Sequence, residues 1–165
     1  MRRFVLVLIY GSNDEVQGLV NKHLVDSGFS VLPNVIVSWL PQQELERKLL
    51  NIKEELIDIM ERGFEGEFAY AVIELTDEQF KAVRPMIVRR LEVDCQRLIS
   101  WGGEALLRRI RSQRIEGIKK ELLRFEREYR RLVSIHEVFD VRHEPLNKVM
   151  ELARELRIEY ERRSH

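Results

Sequence analysis

FVLVLIY, Phe4 to Tyr10, decides how the N-terminal half of this chain is read. Its successive apolar residues, rich in β-branched and aromatic side chains, predict a strand buried on both faces and central to a sheet. The run stops at Gly11. Just beyond, Ser12 followed by Glu15 has capping-box spacing and predicts a helix to about Ser27, with Val16, Leu19, Val20 and Leu24 inward and Gly28 as its stop. Phe29 to Leu40 is strand-like but contains the turn-forming pair Pro33-Asn34, which favours a tight hairpin of Phe29–Leu32 and Val35–Trp39 over one bent strand.

After Pro41, Leu45, Leu49, Ile52, Leu56 and Ile59 form one stripe of a second helix that ends before Gly63. Glu67 to Leu75 (EFAYAVIEL) reads as the last strand, and Thr76 with Gln79 repeats the capping-box spacing ahead of the next helix. The order β-α-β-β-α-β over residues 1–75 is that of a ferredoxin-like unit. The expected fold class is therefore α+β, a ferredoxin-like βαββαβ unit followed by a C-terminal all-helical extension over residues 76–165. That extension is expected to pack on the unit or on a second subunit.

Within the extension, a short helix from Thr76 to about Val83 precedes Pro85, and Met86 to Ser100 continues helically until Trp101-Gly102-Gly103, where paired glycines suggest a hinge or turn. Trp101 beside them reads as a packing anchor. Next comes EALLRRIRSQRIEGIKKELLRFEREYRRLVS, Glu104 to Ser134. Ile115, Ile118, Leu122, Phe125, Tyr129 and Leu132 step by three and four residues and fall on one buried stripe. With about 100° between residues, Lys120, Arg124, Arg127 and Arg131 form a second stripe nearly opposite, tied by pairs such as Glu126 with Arg130. The segment through Val141 is read as fraying. Pro145 then suits the first turn of a last helix whose stripe of Leu146, Val149, Ala153, Leu156 and Tyr160 invites antiparallel pairing with the helix before it.

A chain of 165 residues with 28 basic and 28 acidic side chains has no global charge to draw it to nucleic acid or membrane, so only the distribution matters. The distribution is uneven. Met1 to Leu75 holds 7 basic and 12 acidic residues, whereas Glu104 to Ser134 alone holds 10 basic and 5 acidic. The apolar run at Phe4 falls far short of the ~18 residues of a membrane span, so a cytoplasmic protein without membrane contact is expected. One cysteine, Cys95, excludes an internal disulfide and fits a reducing compartment. It lies among Ile87, Leu91, Leu98 and Ile99 at helical spacing, the setting of a small buried hydrophobe rather than a nucleophile.

Motifs for chemistry are sparse. Gly11-Ser12-Asn13-Asp14 supplies one glycine, too few for a phosphate loop. His136, Asp140 and His143 are spaced i, i+4, i+7 and could share a helical face as metal ligands, but Pro145 and the Val-Arg-His-Glu context end the helix, which favours histidines at a helix C-terminus. His23 reads as a satisfied or half-exposed histidine. No catalytic residue, metal site or cofactor is assigned.

The stretch GFSVLPNVIVSWLP, Gly28 to Pro41, and the Phe125 to Asp140 stretch ending in VFD resemble the N-terminal domain of chromate-resistance regulatory proteins, in which a ferredoxin-like unit precedes long charged helices. The resemblance implies a regulatory, dimeric, nucleic-acid-linked role. The β-α-β start is also similar in outline to the small CRISPR-associated ferredoxin-like nucleases and to the central domain of phenylacetate-degradation repressors. Those nucleases hold a metal through an aspartate at the end of their first strand, where this chain has Tyr10-Gly11.

The expectation is a non-enzymatic regulatory or interaction protein. Its partner would be nucleic acid or an acidic protein, met by Lys120, Arg124, Arg127 and Arg131 on a homodimer. The alternatives are a structural homo-oligomer, or a metal-dependent hydrolase using Asp14 or the His136–His143 cluster.

Overall fold

Asn34 turns the chain where the sequence places a turn: its φ of 66° puts it in the left-handed region that asparagine tolerates, between β2 (Gly28–Leu32) and β3 (Val35–Ser38). The hairpin is real. This is a computed structural model describing residues 3–11, 13–63, 67–112 and 116–164. The chain divides into two compact units, Met1–Pro85 and Met86–His165.

The first unit adds β1 (Val5–Gly11), α1 (Asp14–Leu24), α2 (Gln42–Glu61) and β4 (Phe68–Glu74) to the hairpin. Its sheet has four strands in the order β2-β3-β1-β4, with every neighbouring pair antiparallel. The protein is thus α+β with a four-stranded antiparallel sheet. β1 sits between β3 and β4, as a central strand. It is not buried on both faces: Val5, Val7 and Ile9 are buried, but Leu8 and Tyr10 are 39% and 57% exposed. The reason is that Val20, Leu24, Leu45, Leu49 and Ile52 of α1 and α2 join Val5, Val7 and Ile9 in a single core on one side of the sheet. An antiparallel sheet can leave its other face open. Each fully buried aliphatic side chain in this core contributes roughly 1.5–3 kcal/mol.

Local signals account for several boundaries. Thr76 and Gln79 form the expected reciprocal cap: the Thr76 N–H donates to Gln79 Oε1 at 2.9 Å and the Gln79 N–H to Thr76 Oγ1 at 3.2 Å. Ser12 lies outside the described residues, and the side chain that caps α1 is Asn13, whose Oδ1 accepts from the Val16 N–H at 3.1 Å. α1 ends at Leu24, so Gly28 is not its stop but the first residue of β2. A Cβ on Gly28 would lie 3.0 Å from the Val37 carbonyl and 2.6 Å from Ile36, so glycine serves a close strand approach.

α3 (Asp77–Arg97) begins in the first unit and ends in the second. It does not break before Pro85, which lies inside it. Pro85 and Lys81, one turn earlier, are both exposed, so the carbonyl that proline deprives of a partner can turn to water.

In the second unit, Trp101-Gly102-Gly103 forms neither hinge nor turn: Leu98–Glu104 is a π-helical segment running on into α4 (Ala105–Arg111). A Cβ on Gly102 would come 2.8 Å from the Phe125 ring, and one on Gly103 2.0 Å from Leu152. Both glycines admit neighbouring helices. Trp101 is 85% exposed and anchors nothing, a correction to its sequence reading.

The Glu104–Ser134 stretch is two helices, because α4 stops at Arg111 and α5 (Ile118–Phe139) starts after Gly117 at φ 74°. Ile115 lies outside the described residues. α5 does not fray at Ile135, which is buried, as are His136 and Phe139. α6 (Glu144–Arg163) starts with Pro145 in its first turn and packs mainly on the π-helical segment and α4, more than on α5.

Candidate functional site

α5 separates its two faces as its periodicity predicts. Ile118, Leu122, Phe125 and Leu132 are buried and Tyr129 is half-buried, while Lys120, Arg124, Arg127 and Arg131 are all exposed. Arg124 Nε lies 3.5 Å from Glu128 one turn on, and Glu126 lies 3.8 Å from Arg130 and 3.7 Å from Arg157 of α6. Glu121 is engaged by Arg109 of α4. Among the described residues, neither Lys120 nor Arg127 has a carboxylate within ion-pair distance. The acidic residues on the flanks are largely spent on neighbours, which leaves the outer face basic. Such exposed pairs are each worth about 0–1 kcal/mol, so they do not hold the face shut.

The inner side of the same helix, near its C-terminus, carries a different grouping. His136 is 1% exposed, and its Nδ1 lies 2.7 Å from the Leu132 carbonyl oxygen. A carbonyl only accepts, so Nδ1 carries the hydrogen and Nε2 keeps its lone pair. That Nε2 is 2.9 Å from His143 Nε2 and 3.8 Å from Cys95 Sγ. Three elements position the cluster. Cys95 is buried in the last turn of α3, third from its end, and His136 is in the last turn of α5. Asp140 at φ 51° ends α5 in the left-handed conformation, where the Val141 N–H donates to the His136 carbonyl at 2.9 Å. Buried Val141 holds the turn in, and the chain returns with His143 at the N-cap of α6.

Burial lowers the pKa of His136, opposed by its bond to Leu132 and helped by the charge His143 can carry. The neutral imidazole is favoured. Burial first, then the charges of Asp94 and Glu92, push the Cys95 thiol up to about 12, so it is no nucleophile at neutral pH. Asp94, beside it, is raised by burial against the pull of Arg90, Arg97 and Arg131.

Of the triplet read from sequence, His136 and His143 do come together, and Asp140 does not join them: its side chain is 86% exposed and lies 3.9 Å from Arg142. The third member is Cys95, 41 residues before His136 and invisible to any local spacing rule. Nor is His136 a charged cap on a helix end, since it is buried and held neutral. Asp14, the carboxylate considered for hydrolysis, is exposed in the first turn of α1. His23 is half-buried, and its Nε2 meets Glu55 Oε2 of α2, with Lys22 Nζ 3.4 Å from the other oxygen. Among the described residues no helix is long and apolar enough to cross a membrane. Comparison with protein-family models, curated proteins and solved structures finds no match for this chain.

Proposed function

We propose that this protein is a non-enzymatic regulatory or interaction protein that contacts nucleic acid through the outer face of α5. The observation that carries the reading is the exposure of Lys120, Arg124, Arg127 and Arg131 on one side of a helix whose opposite stripe is buried. Four cations on one rod can meet successive phosphates, and such contacts position a protein on nucleic acid without reading its sequence.

We take the supporting scaffold to be a ferredoxin-like unit, which two features support. Read from its other edge, the sheet runs β4-β1-β3-β2 with all neighbours antiparallel, and the elements follow the βαββαβ order. The resemblance of GFSVLPNVIVSWLP to chromate-resistance regulators supports a regulatory role, and the single cysteine, which fits a reducing compartment, supports a cytoplasmic one. Leu8, Tyr10 and Ile73, exposed on the open face of the sheet, support a homodimer in which a second copy covers them.

Salt titration of binding to labelled DNA and RNA tests the proposal. Four phosphate contacts predict a log–log slope of about −3 to −4, a loss of roughly 50- to 150-fold between 50 and 200 mM salt. Replacing all four cations by glutamine should flatten that slope. No association at about 50 mM salt, or equal binding by the glutamine variant, defeats the reading. Capture of an acidic protein by the same face with no nucleic-acid binding would establish the acidic-partner alternative instead.

A further inference from the structure

We propose that Cys95, His136 and His143 form a binding site for a single zinc-class transition-metal ion, with water as the fourth ligand. Their donor atoms all lie within 4.8 Å of one another. In a tetrahedral zinc site, Zn–S of about 2.3 Å and Zn–N of about 2.0–2.1 Å place sulfur and nitrogen about 3.6 Å apart and two nitrogens about 3.3 Å apart. The Cys95–His136 distance of 3.8 Å and the His136–His143 distance of 2.9 Å differ from these by a few tenths of an ångström. The third edge, from Cys95 to His143, is bounded at 4.8 Å against about 3.6 Å in such a site, so His143, the half-buried member, is the ligand that moves to close the triangle.

The chemistry of the donor set narrows the ion. A thiolate with two imidazoles selects a borderline or soft cation and is a poor match for magnesium or calcium, which take oxygen ligands. His136 is already prepared. Its Nδ1–H is fixed on the Leu132 carbonyl, the outer-shell bond that ligating histidines make, and its Nε2 lone pair is directed at the other two donors. In the metal-free protein, one hydrogen bridges the two Nε2 atoms. The cation takes the place of that hydrogen: His143, which reaches solvent, moves its proton to Nδ1 by exchange with water. The Cys95 thiol releases its proton to water as the S–metal bond forms. One proton is liberated per ion, and no oxidant or reductant is required.

The ion would tie the end of α3, the last turn of α5 and the start of α6 at one point. His143 is the informative variant because it occupies an N-cap position without a side-chain cap bond, where asparagine is among the preferred residues, so His143→Asn removes a ligand without removing a cap.

The test uses the full chain, stripped with a chelator and titrated with zinc against a chromophoric competitor, and with cobalt as a spectroscopic substitute. The expected result is one ion per chain and a thiolate-to-cobalt charge-transfer band with the intense visible bands of a tetrahedral ion. Cys95→Ser should abolish the charge-transfer band. His143→Asn, with an unchanged circular dichroism spectrum, should weaken zinc binding by more than the roughly 10- to 100-fold that loss of an outer-shell partner costs. His23→Asn should change nothing. Absence of stoichiometric zinc, an octahedral cobalt spectrum without charge transfer, or wild-type affinity in His143→Asn each overturns the assignment and leaves the cluster as hydrogen-bonded core.

Discussion

His23 and His136 are the same side chain on two helices, and their surroundings make them different chemical objects. His23, in the first unit, faces the half-exposed Glu55 carboxylate with Lys22 alongside. His136, in the second, has a carbonyl, a thiol and another imidazole around it and no carboxylate in hydrogen-bond contact. Burial beside neutral groups expels a proton from the His136 ring and leaves a lone pair. The difference teaches that a histidine's role follows from the charge and dryness of what meets it, which two helices and a turn decide for His136.

Truncation separates the two histidines most. In chelator-treated protein, His136→Ala removes a fully buried ring and its bond to Leu132, and should cost about 2–4 kcal/mol. His23→Ala should cost less than about 1 kcal/mol, the worth of a polar contact that solvent reaches. Urea unfolding of the two variants measures both, and equal losses would erase the distinction.

Acid sharpens it further. His136 has its folded-state pKa lowered, chiefly by burial, from an ordinary value of 6.5. Above 6.5 its contribution is complete. As pH falls from there toward the folded value, the unfolded chain takes up a proton that the folded one refuses, and stability drops by up to about 1.4 kcal/mol per pH unit. Unfolding curves between pH 7.5 and 5 on metal-free protein should show this slope, and His136→Leu should flatten it.

The smallest effect belongs to Glu55. Its pKa is lowered from 4.5 first by the hydrogen bond from His23, against desolvation, with Lys22 adding its charge. The stability it supplies is present above 4.5 and is lost as pH falls through the depressed folded value. Because Glu55 is 40% exposed, solvent screening holds that contribution to no more than about 0.5 kcal/mol. Glu55→Gln should remove it, and about 1 M salt should mask the change.

Much of this molecule was legible in one dimension because the relevant forces are local. A capping box, a Pro-Asn turn and a three-four apolar stripe each act within a few residues, and Thr76 with Gln79, Asn34, and Leu45 to Leu56 sit where those rules place them. The exposed basic stripe of α5 was legible for the same reason. Less was visible where chain segments distant in sequence meet. The open outer face of β1 depends on which side the helices cover, and Gly102 and Gly103 were misread because their purpose is the approach of Phe125 and Leu152.

By itself, then, the sequence determined the four strands, the two helices between them and the two faces of α5, since helical and strand periods need only neighbours along the chain. Tertiary structure alone decided that Cys95 joins His136 and His143. Sequence spacing carries no information about a donor 41 residues away on another helix until packing of α3 against the end of α5 and the Asp140 turn set all three within 4.8 Å.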